Sequence, residues 1–198
     1  MDTTESLEQE IIVKANLRRW DVLIDLIQED GNIVECAEIG VKAGRNISEI
    51  LKQCPDMIWH AVDPWMRTPD YMHFTSGQIL RDERRFDRVL AEYPRRIEKH
   101  KMLSHEAAGL FADGTLDLVF IDGVKTYEGV KKDIELWAPK VRDRGIIAGH
   151  DWQNLDKHGQ SFDGVEKAVT DALEAGVFGD NEISVGEDCV WWVRNNSL

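Results

Sequence analysis

Four residues at the ends of short apolar runs carry the side chains best suited to chemistry: Asp122, Lys125, His150 and Asp151. Asp122 follows Leu118–Ile121, and Gly123 then turns the chain away; His150 and Asp151 follow Ile146–Ala148 in the same manner. If these runs are neighbouring parallel strands, Asp122, His150 and Asp151 emerge together at one edge of a sheet. An aspartate beside a His-Asp pair suits a divalent metal that holds a hydroxylated substrate, or a general base that removes a hydroxyl proton. The three are therefore candidate catalytic residues and candidate metal ligands, with helix capping by the two carboxylates as the plain alternative. Magnesium prefers oxygen ligands, so His150 weighs against that ion. Lys125 is cationic unless its pKa is strongly lowered. It can meet an anionic group of a substrate or point at solvent.

A second cluster has ligand-binding character. Ala37-Glu38-Ile39-Gly40-Val41-Lys42-Ala43-Gly44-Arg45 reads as strand, tight turn and helix. Gly40, lacking Cβ, lets the backbone turn sharply and approach a ligand closely. Gly44 opens a helix whose first N–H groups have no partner within the helix. About twenty residues on, a second apolar run ends in Asp63, which can accept hydrogen bonds from both hydroxyls of a ribose. Glu38, at the end of the first strand, can receive the amino group of a methionine moiety or order the loop. The G-x-G-x-x-G of nicotinamide sites is missing, with Val41-Lys42 in its middle, so a nicotinamide oxidoreductase fits less well.

Between these clusters lies a charged helix. Arg81, Arg84, Arg85 and Arg88 follow i, i+3, i+4, i+7 spacing, opposite an apolar side of Ile79, Phe86, Val89, Leu90 and Tyr93. Interleaved Asp82, Glu83 and Asp87 make a solvated, salt-bridged face the common explanation. The sharper one is an arginine face, with Arg84 and Arg85 at its centre, that binds a phosphate or carboxylate on a substrate. Trp65, two residues after Asp63, can flank an adenosine or an apolar substrate, or pack in the core.

The elements that must position these residues follow from periodicity. Leu7–Ile27 reads as one or two amphipathic helices, ended at Gly31-Asn32. Strands are expected over Ile33–Ile39, Ile58–Val62, Leu116–Ile121 and Gly145–Ala148, with a short strand end at Met102-Leu103. Helices are expected over Arg45–Cys54, Gly77–Glu92, Tyr127–Trp137 and Phe162–Ala175. Ile183–Val185 and Val190–Val193 form a terminal hairpin. Short apolar strands alternating with amphipathic helices predict an α/β, doubly wound, mostly parallel sheet with an antiparallel C-terminal edge. The expected organisation is one domain over 1–198, with a helical extension at 1–32 and a helical insertion at 66–101 near the substrate pocket.

Composition bounds the function. The 198 residues are 42% apolar and 31% charged, as in a soluble globular protein. A net charge of −13 argues against a nucleic-acid partner. No apolar run approaches the ~20 residues of a membrane span. Met1–Glu10 is polar and acidic, unlike a secretory signal. Cys36, Cys54 and Cys189 lie far apart with no CxxC spacing, so a reducing cytoplasm is the default location. An amphipathic N-terminal helix makes a homo-oligomer an option.

Taken together, AEIGVKAGRN from Ala37, AVDPW from Ala61 and LDLVFIDGVKTYEGVKKDIELWAPKVRDRGIIAGHDW from Leu116 resemble the small class I S-adenosylmethionine (SAM)-dependent methyltransferases of the Methyltransf_24 type. The similarity runs from about Ile33 to Val169, save the segment after Trp65. The resemblance implies a seven-stranded Rossmann-like sheet. It places Glu38, Gly40 and Gly44 around the methionine end of SAM, Asp63 at the ribose, Ser104 beside the adenine and Asp122 near the sulfonium. Related metal-dependent O-methyltransferases bind magnesium at the matching strand ends, which makes Mg2+ an optional cofactor held by Asp122, His150 and Asp151. The family pattern resembles D-x-x-H-x-Y, and Lys125 stands where it has histidine. The expected activity is methyl transfer to a small-molecule acceptor, at a hydroxyl. A cofactor-binding but catalytically degenerate partner protein, and another use of the pocket such as aminopropyl transfer, are the alternatives.

Overall fold

The computed structural model describes residues 17–69, 74–154, 163–179 and 181–195. In chain order these form α1 (Arg19–Asp30), β1 (Glu35–Ile39), α2 (Arg45–Gln53), β2 (Ile58–Val62), α3 (Ser76–Glu92), β3 (Ile97–His100), α4 (Ser104–Ala108), β4 (Leu116–Ile121), α5 (Tyr127–Trp137), β5 (Val141–Gly149), α6 (Asp163–Glu174), β6 (Ser184–Val185) and β7 (Trp191–Arg194). The expected helical turns before Leu17, and Phe162, lie outside the described residues.

The seven strands form one sheet in the order β3-β2-β1-β4-β5-β7-β6. β1 to β5 run parallel, and β7 enters antiparallel between β5 and β6. This is the expected α/β, Rossmann-like sheet with its antiparallel edge. Alternation along the strands splits the core in two. Cys36, Trp59, Leu118, Phe120 and Ile146 face α1, α2 and α3, against Leu23, Ile47 and Phe86. Ala37, Ile39, Val119, Ile121 and Ile147 face α5 and α6, against Ile134, Trp137 and Val169. Strand order reverses between β1 and β4, so the crevice for a ligand opens beyond Ile39 and Ile121.

The largest departures from the expected boundaries are at β5 and β3, each for a physical reason. β5 starts at Val141, which pairs with Leu116; residues 142–145 then bulge out before pairing resumes between Leu118 and Ile146. Arg144 takes φ 60° there, and a Cβ on Gly145 would come within 2.5 Å of Val141. The third parallel strand is Ile97–His100, not Met102-Leu103; on this sheet edge only Ile97 is fully buried, which hides the strand among charges. The segment 66–101 therefore gives the sheet an edge strand, with α3 as the crossover helix leading to it. α3 begins at a Thr75 cap that accepts from the backbone N–H of Gln78 at 3.2 Å. No helix among the described residues is long and apolar enough to cross a membrane.

Candidate active site

The loop after β1 is held from both sides. Gly40 has φ +94°, and a Cβ there would stand 2.6 Å from the carbonyl oxygen of Asp122 and from the backbone of Gly123. The backbone N–H of Gly40 donates to Val62 and that of Asp122 to Ile39. Only a glycine lets the two strand-end loops meet this closely. Asp63 fastens the other side: its carboxylate accepts from the backbone N–H of Lys42 at 2.8 Å and of Trp65 at 2.7 Å. Burial raises its pKa from the ordinary value, although both hydrogen bonds oppose the shift.

Glu38 is 2% exposed and accepts from the Asn46 amide at 3.2 Å. Burial, with the nearby negative charge of Asp122, pushes its carboxyl up to about 8. The folded form thus keeps a proton that the unfolded chain gives up near pH 4–5. The stability contributed by the neutral carboxyl is complete below that range and is lost as pH rises to about 8. Glu38→Gln is expected to flatten this loss, which urea unfolding at several pH values would check.

Gly44 opens the helix as expected. At φ +73° it caps α2, and an added Cβ would lie 2.6 Å from the ring of Phe86 on α3. Helix packing therefore also requires a glycine at this position. Trp65 also turns inward: it is buried, stacks on Phe86 at 4.8 Å between ring centroids, and donates its indole N–H to Lys42 at 2.7 Å. It is a core residue and offers no face to an acceptor. Arg84 and Arg85 are exposed, and Arg85 lies 3.7 Å from Asp82 on the same helix. The acids between them reach the other way, Glu83 to Lys99 and Lys101 and Asp87 to Lys99. The arginine stripe is a solvated face, and the double change to Ala should leave cofactor and acceptor affinity within twofold in a binding titration.

A cavity opens between the ends of β1 and β2 and the loops after β3 and β4, lined by Gly40, Val62, Thr68, Ser104, Gly123 and Asp133 among others. Ser104 begins α4; its hydroxyl donates to Asp133 at 2.5 Å and accepts from the Trp137 indole at 2.9 Å. Burial pushes Asp133 up to about 6, against the Ser104 hydrogen bond. Ser104→Ala strands a buried carboxylate and a buried indole N–H, so denaturant unfolding should show a loss of about 1–3 kcal/mol. Asp133 was detectable in sequence as an acid on the buried stripe of α5, beside Val130, Ile134 and Trp137.

The second constellation assembles as its strand-end positions predict, and with more partners. His150 is buried and its Nδ1–H donates to Asp151 at 2.8 Å; its Nε2 is buried without a hydrogen-bond partner. Lys125 Nζ stands 2.5 Å from Asp122 and 2.7 Å from Asp151. Burial opposes the charge of Lys125, but the two carboxylates outweigh it and raise its pKa above the usual lysine range. Burial likewise opposes the charge of Asp151, yet the His150 hydrogen bond and Lys125 hold its carboxyl well below the ordinary value. Arg19, from the start of α1, pairs with the other oxygen of Asp122, and its backbone N–H donates to Asp188 at 2.9 Å. Nothing in the sequence around Arg19 or Asp188 signals this long-range contact.

These partners decide the fit to magnesium. Asp122, His150 and Asp151 bring donor atoms within 4.8 Å of one another. The space between the two carboxylates is nevertheless bridged by the Lys125 ammonium, and Lys125 with Arg19 neutralises both charges. A metal would have to displace a partly buried ion pair and accept an imidazole in place of an oxygen ligand. The residues present do not fit Mg2+, which corrects that expectation.

Comparison with known proteins agrees with the fold and the loops. A family profile described as a methyltransferase domain, Methyltransf_24, matches residues 37–152. An uncharacterized protein, y4gI, from Sinorhizobium fredii is 29% identical over 102 residues, which are 50% of this chain and 10% of that protein. The chain thus spans about a tenth of that relative's length. Among solved structures, the Podospora anserina methyltransferase PaMTH1, bound to S-adenosylhomocysteine (SAH), superposes with TM-score 0.65 at 12% identity over 90% of this chain and 78% of its own. A SAM-dependent methyltransferase from Aquifex aeolicus gives 0.58 at 15% identity over 98% and 97%. A provisionally assigned caffeoyl-CoA O-methyltransferase from Staphylococcus aureus gives 0.64 at 16% over 100% and 93%. The chain belongs to the Methyltransf_24 family of class I, SAM-dependent methyltransferases.

Proposed function

We propose that the protein transfers the methyl group of SAM to a hydroxyl of a small-molecule acceptor, without a divalent metal. One observation carries this reading: Gly40 packs against Asp122-Gly123, so that Gly40 and Gly123 line one cavity while Asp122, next in the chain, holds Lys125 of the neighbouring cluster. In this reading Asp63 meets the ribose, Ser104 and Asp133 lie at the adenine, and Asp122 faces the sulfonium. The sulfonium is already activated, so alignment supplies much of the rate. The acceptor oxygen attacks the methyl carbon, the carbon–sulfur bond breaks, and SAH leaves. The hydroxyl proton goes to His150 Nε2, which makes no hydrogen bond among the described residues and lies 4.0 Å from the Asp188 carboxylate, while Asp151 holds Nδ1–H and so fixes the tautomer. The acidic surface favours a small acceptor over a nucleic acid, and the chain would work in the cytoplasm.

Labelled methyl transfer from SAM into a panel of small hydroxylated compounds, in the presence of EDTA, tests this. Incorporation should persist in EDTA, and His150→Gln should lower kcat by about 10²–10⁴-fold. A strict need for Mg2+, or methylation confined to nitrogen, would contradict it. Calorimetry of SAM binding at pH 7 also separates two roles for Glu38. If the ammonium of the methionine moiety meets its carboxylate, binding releases nearly one proton; if Glu38 only orders the loop, it releases none. A second reading, binding of SAM without catalysis, is favoured by the Lys125–Asp122–Arg19 clamp and predicts SAH binding with no turnover.

A further inference from the structure

We propose that His60, His100 and Glu98 form a binding site for a zinc ion, on the outer part of the sheet and apart from the active site. His60 on β2 is the register partner of Glu98 on β3, and His100 follows two residues later, so all three side chains leave the same face. His60 Nδ1 stands 3.1 Å from His100 Nε2 and 3.5 Å from the Glu98 carboxylate. Two imidazole nitrogens at the usual zinc distance and a tetrahedral angle are separated by about 3.3 Å. The spacing thus needs only small adjustment to admit the ion.

The surroundings are arranged for a ligand. Glu35, on β1, accepts from His60 Nε2 at 3.1 Å, which puts the ring proton there and leaves Nδ1 with its lone pair directed at His100. A carboxylate behind a histidine is the usual outer support of a metal-binding imidazole. The ring of Phe111 packs edge-on against both histidines, at 4.9 and 5.7 Å between centroids, giving the site an apolar wall. Burial and the neighbouring His60 lower the pKa of His100, and an ion bound between the rings would replace the proton that His100 Nε2 shares with His60 Nδ1. Glu98 is 63% exposed, so it can swing onto an ion at little cost and leave a fourth position for water. Two imidazoles and a carboxylate select zinc over magnesium or calcium. Bound there, the ion would clamp β3 to β2 below the cofactor cavity, since His100 pairs with Val62 and its carbonyl accepts from the Asp63 N–H at 3.2 Å.

The test uses the full chain, stripped of metal with a chelator and titrated with Zn2+ against a competing chromophore, then with Co2+ for its visible absorption. One equivalent should bind, Co2+ should show the intense bands of a tetrahedral site, and Zn2+ should raise the Tm. His100→Gln keeps a donor to His60 and should abolish both binding and the Tm rise. Glu35→Gln should weaken binding by about 10–100-fold. If His100→Gln fails to fold, Glu98→Gln, at an exposed side chain, should still weaken binding at least tenfold. Asp151→Asn, in the other cluster, should bind zinc as the wild type does. Absence of zinc binding, binding unchanged in both Glu35→Gln and Glu98→Gln, or its loss in Asp151→Asn would overturn the proposal.

Discussion

Gly40→Ala is expected to abolish SAM and SAH binding and to destabilise the protein by about 2–5 kcal/mol. The two costs have separate origins. At φ +94° an L-residue is strained, and the new methyl group would stand 2.6 Å from the backbone of Asp122 and Gly123, which has no flexible end to withdraw. Relief requires the loops after β1 and β4 to part, and the cavity wall is made of these loops. Denaturant unfolding measures the first effect and calorimetry the second. A Gly40→Ala protein with wild-type affinity would show that the contact between the loops does not shape the pocket.

The second large effect is expected at Lys125. Lys125→Met leaves Asp122 and Asp151 with Arg19, His150 and Asn154 as their remaining partners, and loss of one member of this partly buried cluster costs about 1–3 kcal/mol. The pH dependence has a definite sign. The depressed pKa of Asp151 gives stability that is present above the ordinary carboxylate range and is lost as pH falls below it. Removing the ammonium raises that pKa, so the acid unfolding midpoint of Lys125→Met should move to higher pH. The vacated space should also take up a divalent cation, so Mg2+ should raise the Tm of the variant and not of the wild type. Equal acid midpoints for the two proteins would show that Lys125 does not neutralise the cluster.

Much of this architecture was legible because the relevant signals are local. The apolar runs ending in Glu38-Ile39-Gly40, Val62-Asp63 and Ile121-Asp122 mark strands that finish at a ligand edge, and a parallel sheet brings such ends together. The bounds of β2 and β4 were read exactly, β1 begins two residues later than read, and the largest misreadings are β3 and β5. β3 and the first half of β5 are edge or irregular segments rich in charge, so their periodicity resembles that of a loop. Residues chosen for chemical type alone fared less well. Gly44 and Trp65 serve the packing of α3, with Phe86 the common partner, and no pattern within either motif indicates a contact made some forty or twenty residues on. Arg19 with Asp122 and Asp188, and Lys125 with Asp151, form ion pairs across long stretches of chain, a consequence of topology that a linear pattern does not carry. Acids on apolar stripes are a usable sign that was only half taken up: Glu38 on β1 was singled out and Asp133 on α5 was not, and both are buried, which for a carboxyl group needs a reason.

Calorimetric titration of SAM into the full wild-type chain tests the central claim most directly. The arrangement of Gly40, Asp63 and the cavity beside Ser104 predicts saturable one-to-one binding of SAM and of SAH, unaffected by EDTA and lost in Gly40→Ala. Failure of the wild type to bind either compound would contradict the account.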